Sequence, residues 1–266
     1  MDEAGKFKIV SERDYTLYIV IGIIVFVILS IVIICIIVSR IKKLKKRIES
    51  QRPPKAVIFD LDGTLIDTER FYRKVWPEAT EHFGYHLTDE QVLELRSLGR
   101  PFAPKKFEEW FGEDFNYDVV RTYRKRLFEQ CVSAEGIKVK AGVPELLNFL
   151  KGKGITIAVA TATDVERSVR YLKAAGIYKY IDKLCSAADV KEGKPSPYVY
   201  EEACKQLGLK PWECLAVEDA PNGIKSAAAA GCRVIFVPDQ TEDEPEVEPL
   251  CVGKVKTADE IIDFFV

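Results

Sequence analysis

The chain is expected to form an α/β fold: a doubly wound parallel sheet with an α-helical cap domain, preceded by one transmembrane helix. Three features of the sequence support this. From Lys55 onward, short apolar runs alternate with stretches of helical period. That alternation is interrupted once, by a wholly helical stretch. An uncharged apolar segment stands before all of it. Strand–helix alternation builds parallel sheets that are covered by helices on both faces.

Residues 17–38 form a run of 22 without a charge. As a helix this run spans about 33 Å, enough to cross the hydrocarbon layer. Its Ile and Val content favours a strand in water. In lipid a lone strand leaves its backbone polar groups unpaired, so a single span has to be helical. Arg40, Lys42, Lys43, Lys45, Lys46 and Arg47 follow at once, whereas the leading flank mixes Lys6, Lys8 and Arg13 with Asp2, Glu3, Glu12 and Asp14. The positive-inside bias then places residues 1–16 outside the cell membrane and the single-pass span at 17–39. A basic linker follows at 40–54, with the catalytic bulk in the cytoplasm. The run is too long for a cleaved signal peptide, its lead is not basic, and no small-x-small site follows it. The linker reads as a stop-transfer cluster. Because Ile41, Leu44 and Ile48 recur at helical spacing, it also reads as an amphipathic helix on the inner membrane surface. Pro53-Pro54 ends any helix there.

Residues 56–59, 155–160, 215–217 and 234–237 are short, apolar and bounded by polar or turn residues, the pattern of buried strands. Helical periodicity marks 143–150, 165–175, 198–207 and 223–230, and a closing helix at 257–265. Between the first and second strands, 91–98, 105–111 and 117–131 read as amphipathic helices punctuated by aromatic residues. This gives a core domain of 55–70 and 138–266, with a helical cap of 71–137 over the strand ends, where open α/β sheets bind ligands.

Composition narrows the function. With 47% apolar and 30% charged residues the chain can build a packed core. The first fifty residues carry nine Lys/Arg against five Asp/Glu, and the remainder 30 against 36. An acidic catalytic part argues against nucleic acid as a partner, since phosphate backbones demand a basic surface. Seven cysteines without a CxxC pair fit free thiols in a reducing compartment better than a disulfide framework. His82 and His86 have no HExxH context, which argues against zinc.

The first strand runs into Asp60-Leu61-Asp62-Gly63-Thr64-Leu65-Ile66-Asp67-Thr68. Two carboxylates one residue apart at a strand end face one crevice, where one can attack phosphorus while the other moves a proton. A calcium loop starting at Asp60 needs Gly at its sixth position and Glu at its twelfth; Leu65 and Phe71 stand there. Thr161 ends the second strand, where its hydroxyl and nearby backbone N–H groups, including that of Ala162, can hold phosphate oxygens or simply cap the next helix. Lys194 lies in Gly193-Lys194-Pro195-Ser196-Pro197 and can neutralise a phosphoryl group, or stand as an exposed turn lysine. Glu218-Asp219 follows the strand at 215–217; paired acids there suit Mg²⁺, while an Asp capping the next helix is the plainer alternative.

Taken in order, these four segments resemble the four motifs of the haloacid dehalogenase superfamily, over roughly residues 55–266. The resemblance implies a Rossmann-like sheet and a Mg²⁺-dependent phosphatase. It casts Asp60 as the nucleophile that forms an aspartyl-phosphate, and Asp62 as acid and base with a raised pKa. It also casts Asp60, the Asp62 carbonyl and Asp219, with Glu218 nearby, as metal ligands, and Thr161, Ala162 and Lys194 as the phosphate-binding set. A helical insertion straight after the first motif is similar to the β-phosphoglucomutase and phosphoglycolate-phosphatase branch, which implies a small phosphorylated metabolite as substrate. Of the cap cations Arg96, Arg100, Lys105 and Lys106, Arg100 in its Gly-Arg-Pro turn is the best candidate for the far anionic end of that substrate. Tyr72 stands where mutase-like sequences carry histidine, and Ser97 near where they carry glycine, which weighs against the alternative of a sugar phosphomutase. A membrane-tethered module without catalysis is the other alternative, and the intact acids and lysine weigh against it.

Overall fold

The structure, a computed structural model, describes residues 12–50 and 52–265. They fall into two compact units that divide at Gln51 and Arg52. The first is one helix, α1 (Glu12–Ser50), in which Leu17–Ile41 has a mean hydropathy of 3.6 and is long and apolar enough to cross a membrane. Its apolar side chains are exposed, as expected for a surface solvated by lipid. Helix α1 continues unbroken through the basic stretch. The amphipathic pattern of that stretch rests on Leu44 and Ile48, whose side chains lie outside the described residues, as does the backbone of residues 1–11.

The second unit begins with β1 (Ala56–Phe59) and continues through helices α2 (Glu69–His82), α3 (Asp89–Glu94), α4 (Phe102–Phe111), α5 (Tyr117–Glu135) and α6 (Val143–Gly152). Strand β2 (Thr156–Thr161), α7 (Val165–Ala174), β3 (Lys183–Ser186), α8 (Tyr198–Leu207), β4 (Cys214–Glu218), α9 (Pro221–Ala230), β5 (Arg233–Phe236) and β6 (Gly253–Lys254) complete it. All six strands are parallel, in the order β3-β2-β1-β4-β5-β6. This is a doubly wound sheet whose strand order reverses beside β1, and the carboxyl ends of its central strands form the ligand crevice.

The central strands read as unbroken apolar runs because both their faces are buried. Val57, Phe59, Ile157, Val159, Leu215 and Val217 point to one face, and Ala56, Ile58, Ala158, Ala160, Cys214 and Ala216 to the other. Period-two alternation sends neighbouring side chains into opposite layers. Helix α6 packs Leu146, Leu147 and Leu150 into the first layer, while α8 and α9 pack Tyr200, Ala203, Ile224 and Ala227 into the second. All seven cysteines are free, and Cys185, Cys204, Cys214 and Cys232 are buried.

Several elements depart from the sequence expectation. Helix α2 contains Pro77 and still runs its full length, packed against α5 through Phe71, Val75 and Trp76. The helix expected at 91–98 starts earlier and stops at Glu94. Thr88 and Gln91 form a reciprocal capping box at its start, and the chain past Leu95 turns through Ser97 at φ 54°. The closing helix is of the tighter three-residue-per-turn kind over Ala258–Phe265. Strands β3 and β6 are additional, both short.

Candidate active site

The ends of β1, β2 and β4, with the loop before α8, bring the motif residues together. Asp60 follows β1, and its N–H donates to the carbonyl of Val217 at 3.0 Å, which locks the β1 end onto β4. Lys194 is fully buried; its Nζ lies 2.7 Å from Asp60 Oδ1 and 2.6 Å from Glu218 Oε1. Tyr200 on α8 donates to the same Glu218 oxygen. Asp219 accepts from the Thr64 hydroxyl through Oδ1 at 2.9 Å. Glu218 Oε2 and Asp219 Oδ2 have no hydrogen-bond partner.

Two glycines make room for this arrangement. A Cβ at Gly63, which sits at φ +83°, would strike Asp219 Oδ2, and a Cβ at Gly223 would strike the Glu218 carboxylate. Neither position tolerates a side chain while the acids stay where they are.

The electrostatics of the cluster are unbalanced. Burial raises the pKa of Asp219, and the charges of Asp60 and Glu218 raise it further. Burial pushes Glu218 up to about 7, with Lys194 pulling it down. Burial opposes charging of Lys194, yet Asp60 and Glu218 hold it above its ordinary value. One ammonium cannot neutralise three buried carboxylates, and uncompensated buried charge is costly. Oxygens of Asp60, Glu218 and Asp219 lie within 4.8 Å of one another. Crowded oxygen donors, two of them unpartnered, fit a hard divalent cation such as Mg²⁺.

Asp62 stands apart from that set. Its two carboxylate oxygens accept from the hydroxyls of Thr68 at 2.6 Å and Thr163 at 2.7 Å. Its pKa is raised by burial first and by the charge of Asp60 second, against those hydroxyls. That direction is the one an acid–base role requires. Thr161 is buried, and its hydroxyl accepts from the N–H of Thr163 at 3.0 Å. Ala162 lines the cavity above the acids.

Arg100 is not brought to these groups. It lines the same cavity but is half-exposed, pairs with Asp118 and lies over the Tyr117 ring. Arg96 is buried against Glu244 at 2.5 Å and Thr241 at 2.9 Å, and Lys106 pairs with Glu94 at 3.1 Å.

Sequence reasoning named Ser97 only as a departure from the mutase pattern and missed its contact with the acids. Its hydroxyl donates to Asp60 Oδ2 at 3.1 Å, so the helical insertion touches the proposed nucleophile directly. Left-handed backbone at a residue other than glycine costs about 1–3 kcal/mol and persists only where the surroundings enforce it. They do so here. Asn222 Nδ2 donates to the carbonyls of Glu94 and Arg96 at 3.0 and 2.9 Å, and Gly99 N–H donates to the Lys194 carbonyl at 2.9 Å. The only sequence signal was Ser97 itself, in a turn whose strain cannot be read from residue types.

Acids and a lysine thus gather at the carboxyl ends of an open parallel sheet, beneath a helical insertion, the arrangement of an α/β enzyme that binds its ligand in the crevice. A family model for haloacid dehalogenase-like hydrolases matches residues 54–231, and the chain belongs to that family. It is 32% identical over 188 residues to the phosphorylated carbohydrates phosphatase of Thermotoga maritima, covering 68% of this chain and 84% of that one. It is 32% identical over 183 residues to hexitol phosphatase A of Escherichia coli, covering 69% and 82%. Among solved structures, β-phosphoglucomutase from Clostridium difficile matches with a TM-score of 0.69 at 20% identity, covering 80% of this chain and 97% of that one. CbbY from Rhodobacter sphaeroides, in complex with phosphate, matches at 0.66 and 24%, covering 80% and 99%. These two likenesses show the fold.

Gly223→Ala tests the packing of the cluster. The new methyl group displaces the Glu218 carboxylate from Lys194. Catalysis that depends on positioning and charge neutralisation should then fall by about 10²-fold, with the far-UV circular dichroism spectrum unchanged. Full retention of the chain's hydrolase activity in this variant would contradict the assigned packing.

Proposed function

We propose that the chain is a Mg²⁺-dependent phosphatase of small phosphorylated metabolites, sugar phosphates or phosphoglycolate-like compounds, acting through an aspartyl-phosphate. The observation that carries this reading is the buried Lys194 ammonium between Asp60 and Glu218, beside an Asp62 held by two threonine hydroxyls. The phosphatase names of the Thermotoga and Escherichia relatives support it.

In the first half-reaction a carboxylate oxygen of Asp60 bonds to phosphorus as the bond to the leaving oxygen breaks. The carboxyl of Asp62 gives its proton to that oxygen. In the second, water attacks the aspartyl-phosphate, its proton passes to the Asp62 carboxylate, and phosphate leaves as Asp60 is regenerated. Lys194 balances the charge of Asp60 and of the transferring group, while the Thr161 hydroxyl and the Ala162 N–H hold phosphoryl oxygens. Asp60, the Asp62 carbonyl and Asp219, with Glu218 close by, would hold Mg²⁺, which supplies charge neutralisation at the phosphoryl oxygens. Ser97 and the insertion exclude bulk water and large substrates. Tyr72, whose hydroxyl lies 3.5 Å from that of Thr163, puts a phenol where the mutase alternative wants an imidazole.

Full-length protein purified in detergent should release phosphate from small phosphomonoesters with Mg²⁺ and not with excess EDTA. Asp60→Asn should lower release by about 10³-fold or more. Release that survives both changes would sink the mechanism.

Helix α1 is proposed to anchor this unit in the cell membrane as a single pass, with the catalytic part in the cytoplasm. After alkaline carbonate washing, the full chain is expected to stay with the membrane pellet and a chain lacking residues 1–51 to stay in the supernatant. Recovery of both in the supernatant would refute the anchor.

A further inference from the structure

The cavity above the acids also carries positive charge that the chemistry just described does not use. Arg124, on α5, is 5% exposed and lines this cavity. Its Nε and Nη1 have no hydrogen-bond partner. The guanidinium lies 5.0 Å from the Tyr72 ring centre and 4.7 Å from that of Trp76. The two rings offer a cation–π environment but no hydrogen-bond acceptor, so Nε and Nη1 are left for one from elsewhere. Arg167, on α7, lines the same cavity. Its Nε is held by Asp164 at 2.8 Å, and its Nη1 is buried without a partner. Burial lowers the pKa of Arg124; Tyr72 and Tyr117 act against this, and the charges of Arg167 and Arg121 act with it.

A buried cation without an anion is costly, and two guanidinium groups facing one cavity add mutual repulsion. Of the other arginines of the insertion that line it, Arg73, Arg96 and Arg100 are each paired with a carboxylate of the chain, whereas Arg121, three residues before Arg124, adds further positive charge beside it. The acids that line the cavity, Asp60, Asp62 and Glu69, belong to the phosphoryl end. Tyr72 stands between the two ends, its ring under Arg124 and its hydroxyl toward Thr163, the Asp62 partner. The cavity opens to solvent, and its lining runs from Asp60 and Asp62 past Tyr72 to Arg124, so one ligand can touch both groups.

We propose that Arg124, together with Arg167, binds a second oxyanion of the substrate, a carboxylate or a second phosphate remote from the phosphoryl group that reacts. The preferred substrate is then a phosphorylated compound with two anionic ends. The proposal rests on the phosphatase reading and adds the specificity determinant to it. The guanidinium edge matches a planar carboxylate or a phosphate in bidentate fashion. Because Arg124 belongs to the insertion and Arg167 to the sheet layer, the bound oxyanion ties one to the other, so remote binding energy favours the closed arrangement in which Ser97 meets Asp60.

The test compares matched substrates on the full-length protein in detergent. One pair is 2-phosphoglycolate against ethyl phosphate, the other fructose 1,6-bisphosphate against fructose 1-phosphate. Wild type should prefer the doubly anionic member of at least one pair by about 100-fold in kcat/KM, a difference of about 2.7 kcal/mol; the pair that responds tells carboxylate from phosphate. Arg124→Met should bring that ratio close to one, mainly through KM, and Arg124→Lys should restore part of it. Equal rates within both pairs, or a preference that survives Arg124→Met, would overturn the proposal. If Arg124→Met does not fold, the wild-type ratios and Arg167→Met decide. Absence of Asp60-dependent release from every ester is a separate failure, that of the phosphatase reading. Calorimetric binding of the same pairs to wild type and Arg167→Met then decides the oxyanion site, with equal affinities within both pairs overturning it.

Discussion

One buried ammonium organises the site. Lys194 has no exposed surface and sits between Asp60 and Glu218, which arrive on different strands, and its own loop precedes α8. Removing either partner leaves a buried charge uncompensated, at a cost of several kcal/mol. The loop, the ends of β1 and β4, and Tyr200 are therefore tied to a single arrangement. The same contact fixes where the nucleophile can stand, because Asp60 has Lys194 on one carboxylate oxygen and Ser97 on the other.

The surrounding structure follows from accommodating that charge. The close approach of Gly63 to Asp219 and of Gly223 to Glu218 lets the carboxylates crowd together. The hydroxyls of Thr64, Thr68 and Thr163 supply donors to acids that are out of reach of water. The insertion closes over them, anchored by Asn222 and by the Gly99–Lys194 backbone contact. Negative charge thus collects around the acids, with Arg124 across Tyr72 from them and Arg167 between, close enough to act on Asp62, and the field suits an anion with two separated charges.

Much of this was legible in the sequence, and the parts that were not share a cause. The central strands stood out because burial on both faces makes them uniformly apolar. Strand β3 did not, because as an edge strand it begins with exposed Lys183, and β6 is only two residues long. Helix α2 was hidden by Pro77, whose missing N–H is tolerated because the face toward α5 is well packed. Asp60, Asp62, Lys194, Glu218 and Asp219 were singled out because four segments, taken in order, resemble the family's motifs, where spacing alone left plainer readings open. Arg100 was favoured because a turn arginine looks free, but Asp118, 18 residues on, claims it. Arg124 did leave a signal. It falls on the buried face of α5, four residues after Val120 and four before Phe128, where an arginine interrupts an apolar stripe. Ser97 left only its departure from the mutase pattern, since its strain exists only once the insertion is docked.

The central claim is that the carboxylate cluster is completed by Lys194 together with a divalent cation, and Mg²⁺-dependent stability tests it most directly. Thermal unfolding of the full-length protein should shift upward by about 5 °C or more at saturating Mg²⁺, because a ligand bound only by the folded state stabilises it. Asp219→Asn should abolish most of that shift. A wild-type melting temperature indifferent to Mg²⁺, or an undiminished shift in Asp219→Asn, would contradict the account.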